Sequence, residues 1–224
     1  MERAQKEEIL RGFLDFWDKL DQKSKDFMID SSYDMSYKPG EIIHNGEYNC
    51  LGIMFVISGM LRVYLMSDEG KEVTLYREEA GDVCVLSASC VLSEITFDVH
   101  IDSVAETEVL VLTADAFSYL ISNNIYFENF QNKIKAQRMS DIMWTMQQIL
   151  FYSFDKRLAI FLYDELVKNG PVITYSHLEI AKYLGSAREV VSRMLKYFEK
   201  EEILKVSRKE IEIVDKKKLF EHTM

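Results

Sequence analysis

Residues 177–196 read His-Leu-Glu-Ile-Ala-Lys-Tyr-Leu-Gly-Ser-Ala-Arg-Glu-Val-Val-Ser-Arg-Met-Leu-Lys, and no other stretch narrows the possible folds as far. Ala181 is small where two helices must approach closely, and Gly185, four residues on, falls where a tight turn needs a positive φ. Val191, with Ile180, Leu184 and Leu195, can fill the wedge between the helices. Ser176 with Glu179, and Ser186 with Glu189, each spell S-x-x-E. That is the pattern of a capping box, in which hydroxyl and carboxylate satisfy N–H groups left free at a helix start. Two capped helices around a glycine turn describe a helix-turn-helix, whose second helix enters a DNA major groove. An ordinary αα-hairpin with no DNA role has the same spacing. Charge favours the first. Residues 174–224 carry 11 Lys and Arg against 9 Asp and Glu, a net of +2, whereas residues 1–173 carry 16 against 28, a net of −12. An acidic chain with a basic end suits a phosphate-contacting module at that end.

Glycine usage divides the rest. Gly40, Gly46, Gly52, Gly59, Gly70 and Gly81 fall close together, and no glycine lies between Gly81 and Gly170. Pro39 and Pro171, the only prolines, stand where the pattern changes. Between the clustered glycines lie short runs rich in β-formers: Glu41–His44, Ile53–Ile57, Leu61–Leu65 and Glu72–Tyr76. Pro39-Gly40, Asn45-Gly46, Ser58-Gly59 and Asp68-Glu69-Gly70 punctuate them as turns. Phe97–Val104 and Glu108–Leu112 continue the series, and short strands so spaced predict an antiparallel sandwich or barrel.

From Asp115 to Leu150 the pattern is helical. Phe127, Phe130, Ile134, Met139, Ile142, Met146 and Ile149 recur at steps of three to five residues, predicting a long amphipathic helix. Part of this stripe is expected to pair with a second copy as in a short coiled coil, although Gln137 and Asp141 interrupt the seam. Packing on the chain's own sheet is the alternative. Another helix is expected over Asp155–Lys168, ended by Pro171. Ile203–Val206 and Glu210–Val214 flank Ser207-Arg208-Lys209 and predict a small hairpin, or wing, with a basic tip.

The expected fold class is α+β, in three parts: an N-terminal antiparallel β-roll over residues 1–124, a long helix over 125–151, and a winged helix-turn-helix over 152–224. With 48% hydrophobic residues the chain can build real cores. No apolar run reaches the ~18 residues of a membrane span, and the charged first residues lack a signal-peptide core. Cys50, Cys84 and Cys90 form no C-x-x-C pair. A cytoplasmic protein with reduced thiols and no membrane partner is the simplest expectation.

This order of parts resembles the Crp/Fnr family of bacterial transcription regulators over nearly the whole chain. The carrying residues are Pro39-Gly40-Glu41-Ile42-Ile43, Ile57-Ser58-Gly59, Gly70-Lys71-Glu72-Val73, Gly81-Asp82 and, most specific, Leu184 through Arg193. The resemblance implies a cyclic-nucleotide-binding-like, cupin-like β-roll that senses an effector. It further implies a homodimer joined through the long helix, binding to double-stranded palindromic DNA, and RNA polymerase as a partner. It places base reading on Arg188, Glu189 and Arg193, with Ser192 at a base- or backbone-contacting position of the oxygen-sensing branch. Arg pairs bidentately with guanine, and Glu accepts from the cytosine amino group. Ser176, Ser186 and Lys196, with Arg208 and Lys209 of the wing, are expected near phosphates, and His177 at the surface beside the backbone.

The effector is less legible. Cyclic-nucleotide-binding members hold the phosphate with an Arg followed by a small polar residue and Ala. No such triplet follows Gly81-Asp82, and no Lys or Arg lies between Arg77 and Lys133. Cyclic AMP is therefore not expected, because its phosphate would lack a charged partner. No cysteine precedes Cys50, so the N-terminal iron–sulfur cluster of the oxygen-sensing branch is not expected either. The pocket region holds Gly81, Asp82, Cys84, Ser87, Ser89 and Cys90. Its two thiols are read as small buried hydrophobes, as redox sensors, or, at Cys84, as a haem ligand of the kind used by haem-containing relatives. Two other functions compete: a small-molecule or redox sensor acting through protein contacts rather than DNA, and a cupin-type metal enzyme. The enzyme would need converging histidines, and the β-roll offers only His44 and His100 at wide spacing.

Overall fold

The structure, a computed structural model, describes residues 1–45, 51–85, 99–208 and 210–224. The chain divides into two compact units, Met1–Leu65 with Leu75–Asp141, and Met66–Thr74 with Ile142–Met224.

The first unit opens with α1 (Arg3–Phe13), a single 3-10 turn (Trp17–Lys19) and α2 (Gln22–Asp30). Eight strands follow: β1 (Ser32–Tyr37), β2 (Ile42–Asn45), β3 (Ile53–Ser58), β4 (Met60–Met66), β5 (Glu72–Glu79), β6 (Val83–Cys84), β7 (His100–Ser103) and β8 (Thr107–Leu112). They form two four-stranded sheets, in the orders β1-β8-β3-β6 and β2-β7-β4-β5. The pairings of β1 with β8, β2 with β7, β3 with β6 and β8, and β4 with β7 are antiparallel. Ile53–Val56 and Val109–Leu112 are buried at every position, so β3 and most of β8 read as unbroken apolar runs rather than alternations. Gly59 makes the β3–β4 turn with φ +83°, and a Cβ there would lie 2.3 Å from the Glu106 carbonyl oxygen, so only glycine fits.

α3 (Ala114–Asn123) and the first part of α4 (Ile125–Phe151) close this unit. Phe127 is fully buried and Ile134 nearly so, in one cluster with Leu10, Trp17, Phe55 and Phe117. Phe16 lies edge-on to Phe127 and Phe130, at 5.1 and 5.7 Å between centroids. This corrects the expected dimer stripe. Phe127, Phe130 and Ile134 pack against their own chain, because the N-terminal helices fold back over them. Beyond Ile134 the exposed apolar residues of α4 are Met139, Met143, Trp144, Met146, Ile149, Leu150 and Phe151, with Ile142 half-buried among them.

Three further differences are local. β1, a polar-looking SYDMSY run with no glycine directly before it, pairs along its whole length with β8, from Ser32 opposite Leu112 to Tyr37 opposite Thr107. α3 is separate from α4 because Asn124 is extended and its carboxamide oxygen accepts from the Tyr126 N–H at 3.0 Å. β5 runs three residues past Tyr76, which brings Glu78 into the fold's interior.

The second unit holds the end of α4, then α5 (Phe154–Asn169), β9 (Val172–Ile173), α6 (His177–Leu184), α7 (Arg188–Lys200), β10 (Leu204–Val206), β11 (Ile211–Ile213) and α8 (Lys216–Glu221). β10 and β11 form the expected hairpin, and β9 adds a third strand. Ile180, Ala181, Val191 and Leu195 are buried together with Leu158, Leu162 and Phe198, and Leu184 is partly buried against them. Among the described residues, no helix is long and apolar enough to cross a membrane.

Candidate nucleic-acid interface

The turn between α6 and α7 sets the exposed surface. α6 begins with a complete capping box: Ser176 Oγ accepts from the Glu179 N–H at 3.2 Å, and the Glu179 carboxylate accepts from the Ser176 N–H at 2.6 Å. Gly185 ends α6 in the left-handed region, φ +59° and ψ +46°, as a helix C-terminus of this kind requires. The second expected box, Ser186 with Glu189, is not made. The Ser186 N–H instead donates to the Ala181 carbonyl at 2.9 Å and completes the turn. α7 therefore starts one residue later, with Ala187 as its cap and no side-chain capping bond. Glu189 is thus not used in capping and stays exposed.

The exposed face of α7 collects the candidate base readers. Arg188, Glu189, Ser192, Arg193 and Lys196 line one shallow groove, joined by Tyr197 and Lys200. Arg188, Glu189, Arg193 and Lys196 are exposed, and Ser192 is half-buried. Tyr197 and Lys200 were not singled out from the sequence. The signal was present, since Ser192, Lys196 and Lys200 recur every four residues and so share a face. With four cations against one carboxylate, this face can meet a phosphate backbone and still offer groups to base edges.

A second cleft opens between the start of α6, the start of α7 and the wing. Ser176, His177, Arg188, Ser207, Arg208 and Glu210 are among its lining residues. His177 is half-buried, and its Nδ1 lies 2.8 Å from Ser192 Oγ. Burial first, and then the positive charge of Arg188, hold its pKa below the ordinary histidine value. Lys209 lies outside the described residues.

Of the candidate effector residues, Gly81 and Asp82 form the turn into β6, where Gly81 N–H donates to the Val56 carbonyl and Asp82 accepts from the Glu79 N–H, each at 2.9 Å. Cys84 is a fully buried cysteine in β6 opposite Met54. Ser87, Ser89, Cys90 and Cys50 lie outside the described residues. The unexpected members are Tyr76, Glu78 and Arg138. Arg138, on α4, reaches Glu78 at 3.2 Å, Asp82 at 3.6 Å and Asp141 at 2.9 Å, and lies over the Tyr76 ring at 4.9 Å. Glu78 is completely buried, and desolvation, opposed by Arg138, pushes its pKa up to about 7. Arg62 is likewise committed, paired through two nitrogens with Asp102 on the neighbouring strand. His44 is buried in β2, His100 stacks on Tyr64 at 5.3 Å, and among the described residues no three His, Cys, Asp or Glu gather as a metal site.

Comparison with known proteins accords with both units. The family model of the Cyclic nucleotide-binding domain matches residues 34–124, and that of the Crp-like helix-turn-helix domain matches residues 156–221. The chain is 39% identical to the solved structure of a transcriptional regulator of the Crp/Fnr family from Eubacterium rectale, with a TM-score of 0.90 over 94% of this chain and 98% of that one. It is 26% identical over 175 residues to the Fumarate and nitrate reduction regulatory protein of Vibrio cholerae, covering 73% of this chain and 68% of that relative. A CooA variant from Carboxydothermus hydrogenoformans shares the fold, at 23% identity and a TM-score of 0.69 over 94% of this chain and 95% of that one. The chain belongs to the Crp/Fnr family of transcriptional regulators.

Proposed function

We propose that the chain works as a homodimer that lays α7 of each subunit in successive major grooves of a palindromic DNA site, under control of an effector in the first unit. The observation that carries this reading is the α7 face. Arg188, Glu189, Ser192 and Arg193 stand near its N-terminus, the end that enters a groove, and Lys196 and Lys200 follow toward the flanking phosphates. The wing tip at Arg208 supplies a further phosphate contact. Dimerisation falls to the exposed apolar residues of α4 from Met139 to Phe151, and RNA polymerase is the partner of the DNA-bound form.

The effector is not a cyclic nucleotide. Two guanidinium groups, Arg62 and Arg138, are buried in the first unit, and each is engaged by carboxylates. A cyclic phosphate brought to Arg138 would meet Glu78, Asp82 and Asp141 as well.

Selection from random DNA tests the DNA reading. The expected product is a palindrome with half-sites about one helical turn apart and at least one G·C pair at a fixed place in each. Arg193→Ala should cost about 1–3 kcal/mol and relax one position, whereas Lys196→Ala should weaken all sequences alike and flatten the salt dependence. An unsymmetric or wholly A·T product would remove these side chains as base readers.

A further inference from the structure

His177 and Ser192 are on different helices, fifteen residues apart, and their polar atoms meet at 2.8 Å across the helix-turn-helix. His177 is the first residue of α6, and the Ser176–Glu179 box holds that turn in place. Ser192 sits on the α7 face beside Arg193, one turn on from Arg188 and Glu189. The contact therefore ties a group that can touch DNA to the start of the capped first helix.

A serine hydroxyl has one hydrogen, two acceptor lone pairs and a free rotor. Left to rotate, it can donate to thymine O4 or guanine O6, or accept from the adenine or cytosine amino group, and it discriminates poorly. A neutral imidazole with its hydrogen on Nε2 presents a bare lone pair at Nδ1. Ser192 can donate its hydrogen there, and Oγ is then left with lone pairs alone.

We propose that His177 is a positioning residue for Ser192. It holds the hydroxyl hydrogen inside the protein, so that Oγ faces the groove as an acceptor and selects a base carrying a major-groove amino group, adenine or cytosine. The proposal rests on the reading that α7 enters the major groove. Burial and Arg188 keep the ring neutral at neutral pH, which the arrangement requires. Among the described residues, the charged groups that line the same cleft as the ring are Arg188 from α7 and Arg208 and Glu210 from the wing. Once the ring is protonated, Nδ1–H donates to Oγ, the serine hydrogen is released toward the groove, and the preference turns to thymine or guanine.

The test is selection and binding with the full-length chain on a randomised half-site, comparing wild type, His177→Ala, Ser192→Ala, the double variant and His177→Asn. Both alanine variants should relax the same single base position, each losing about three- to tenfold in affinity for the preferred site. The double variant should lose no more than either single one. His177→Asn should restore the preference, because its carboxamide oxygen can accept the same hydrogen. Lowering the pH through the histidine titration, below 6.5, should change the preferred base in the wild type and not in Ser192→Ala. Uniform weakening of all sequences by His177→Ala, with a smaller salt slope, would make His177 a phosphate contact and overturn the proposal. So would two alanine variants that relax different positions. In either case the positions read by Arg188, Glu189 and Arg193 would still be selected. A wild-type chain that selects no sequence would instead overturn the DNA reading on which the proposal rests.

Discussion

Glu78→Gln should make the first unit more stable at pH 8 and leave it almost unchanged at pH 4. Glu78 is completely buried, and removal from water pushes its pKa from 4.5 to about 7 even with Arg138 at 3.2 Å. Between those values the folded chain binds a proton that the unfolded chain does not. Stability therefore falls as pH rises through this window, and the whole loss is in place above about pH 7. A gap of that width corresponds to about 3 kcal/mol. Glutamine has the shape of the protonated acid and never ionises. Arg138 keeps Asp141 at 2.9 Å and Asp82 at 3.6 Å, so the substitution does not strand a buried cation. Because the chain has two compact units, the readout must report one of them. Trp17, 1% exposed in the core of the first unit, serves this purpose in a Trp144→Phe background. In urea unfolding followed by its fluorescence, the curves with and without Glu78→Gln should nearly coincide at pH 4 and separate by about 3 kcal/mol at pH 8. A separation equal at both pH values, or a glutamine variant less stable at pH 8, would show that Glu78 stays ionised and that attraction to Arg138 outweighs desolvation.

Met146→Glu with Leu150→Glu should convert a dimer to monomers in sedimentation equilibrium while leaving the thermal midpoint of the monomer fold unchanged, since both side chains are largely exposed. A variant that still sediments as a dimer would remove the C-terminal half of α4 as the seam. Gly185→Val should cost about 1–2 kcal/mol in chemical denaturation, because a β-branched residue strains at φ +59°, and Gly185→Asn should cost clearly less. Calorimetry with cyclic AMP should show no micromolar binding; if it does, a guanidinium has been freed from its carboxylates.

The helix-turn-helix was legible because its constraints are local. Gly185 must take a positive φ, Ser176 and Glu179 satisfy each other within one turn, and the basic wing tip lies between two short β-runs. The one local error, the Ser186 capping box, has a local cause. The S-x-x-E spelling is present, but the Ser186 N–H was already needed to close the turn on Ala181. Two signals competed for one residue, and the backbone bond prevailed.

What the sequence hid depends on contacts between distant residues. In sequence the apolar stripe of α4 runs from Phe127 to Ile149 with breaks only at Gln137 and Asp141, yet its first part belongs to the chain's own core and its last part stands in the open. The difference is made by Phe16 and its neighbours, more than a hundred residues earlier. Glu78 and Asp82 look like ordinary turn-flanking acids until β5 is seen to carry Glu78 inward and α4 to bring Arg138 against it. The pairing of His177 with Ser192 is hidden in the same way, and for base reading it matters most. The family resemblance put Ser192 near DNA and His177 was expected beside the backbone, but only the packing of α6 on α7 brings the two within 2.8 Å, the contact from which we propose that an indifferent hydroxyl becomes a directed acceptor. Base choice at that position then depends on a side chain that need not touch a base.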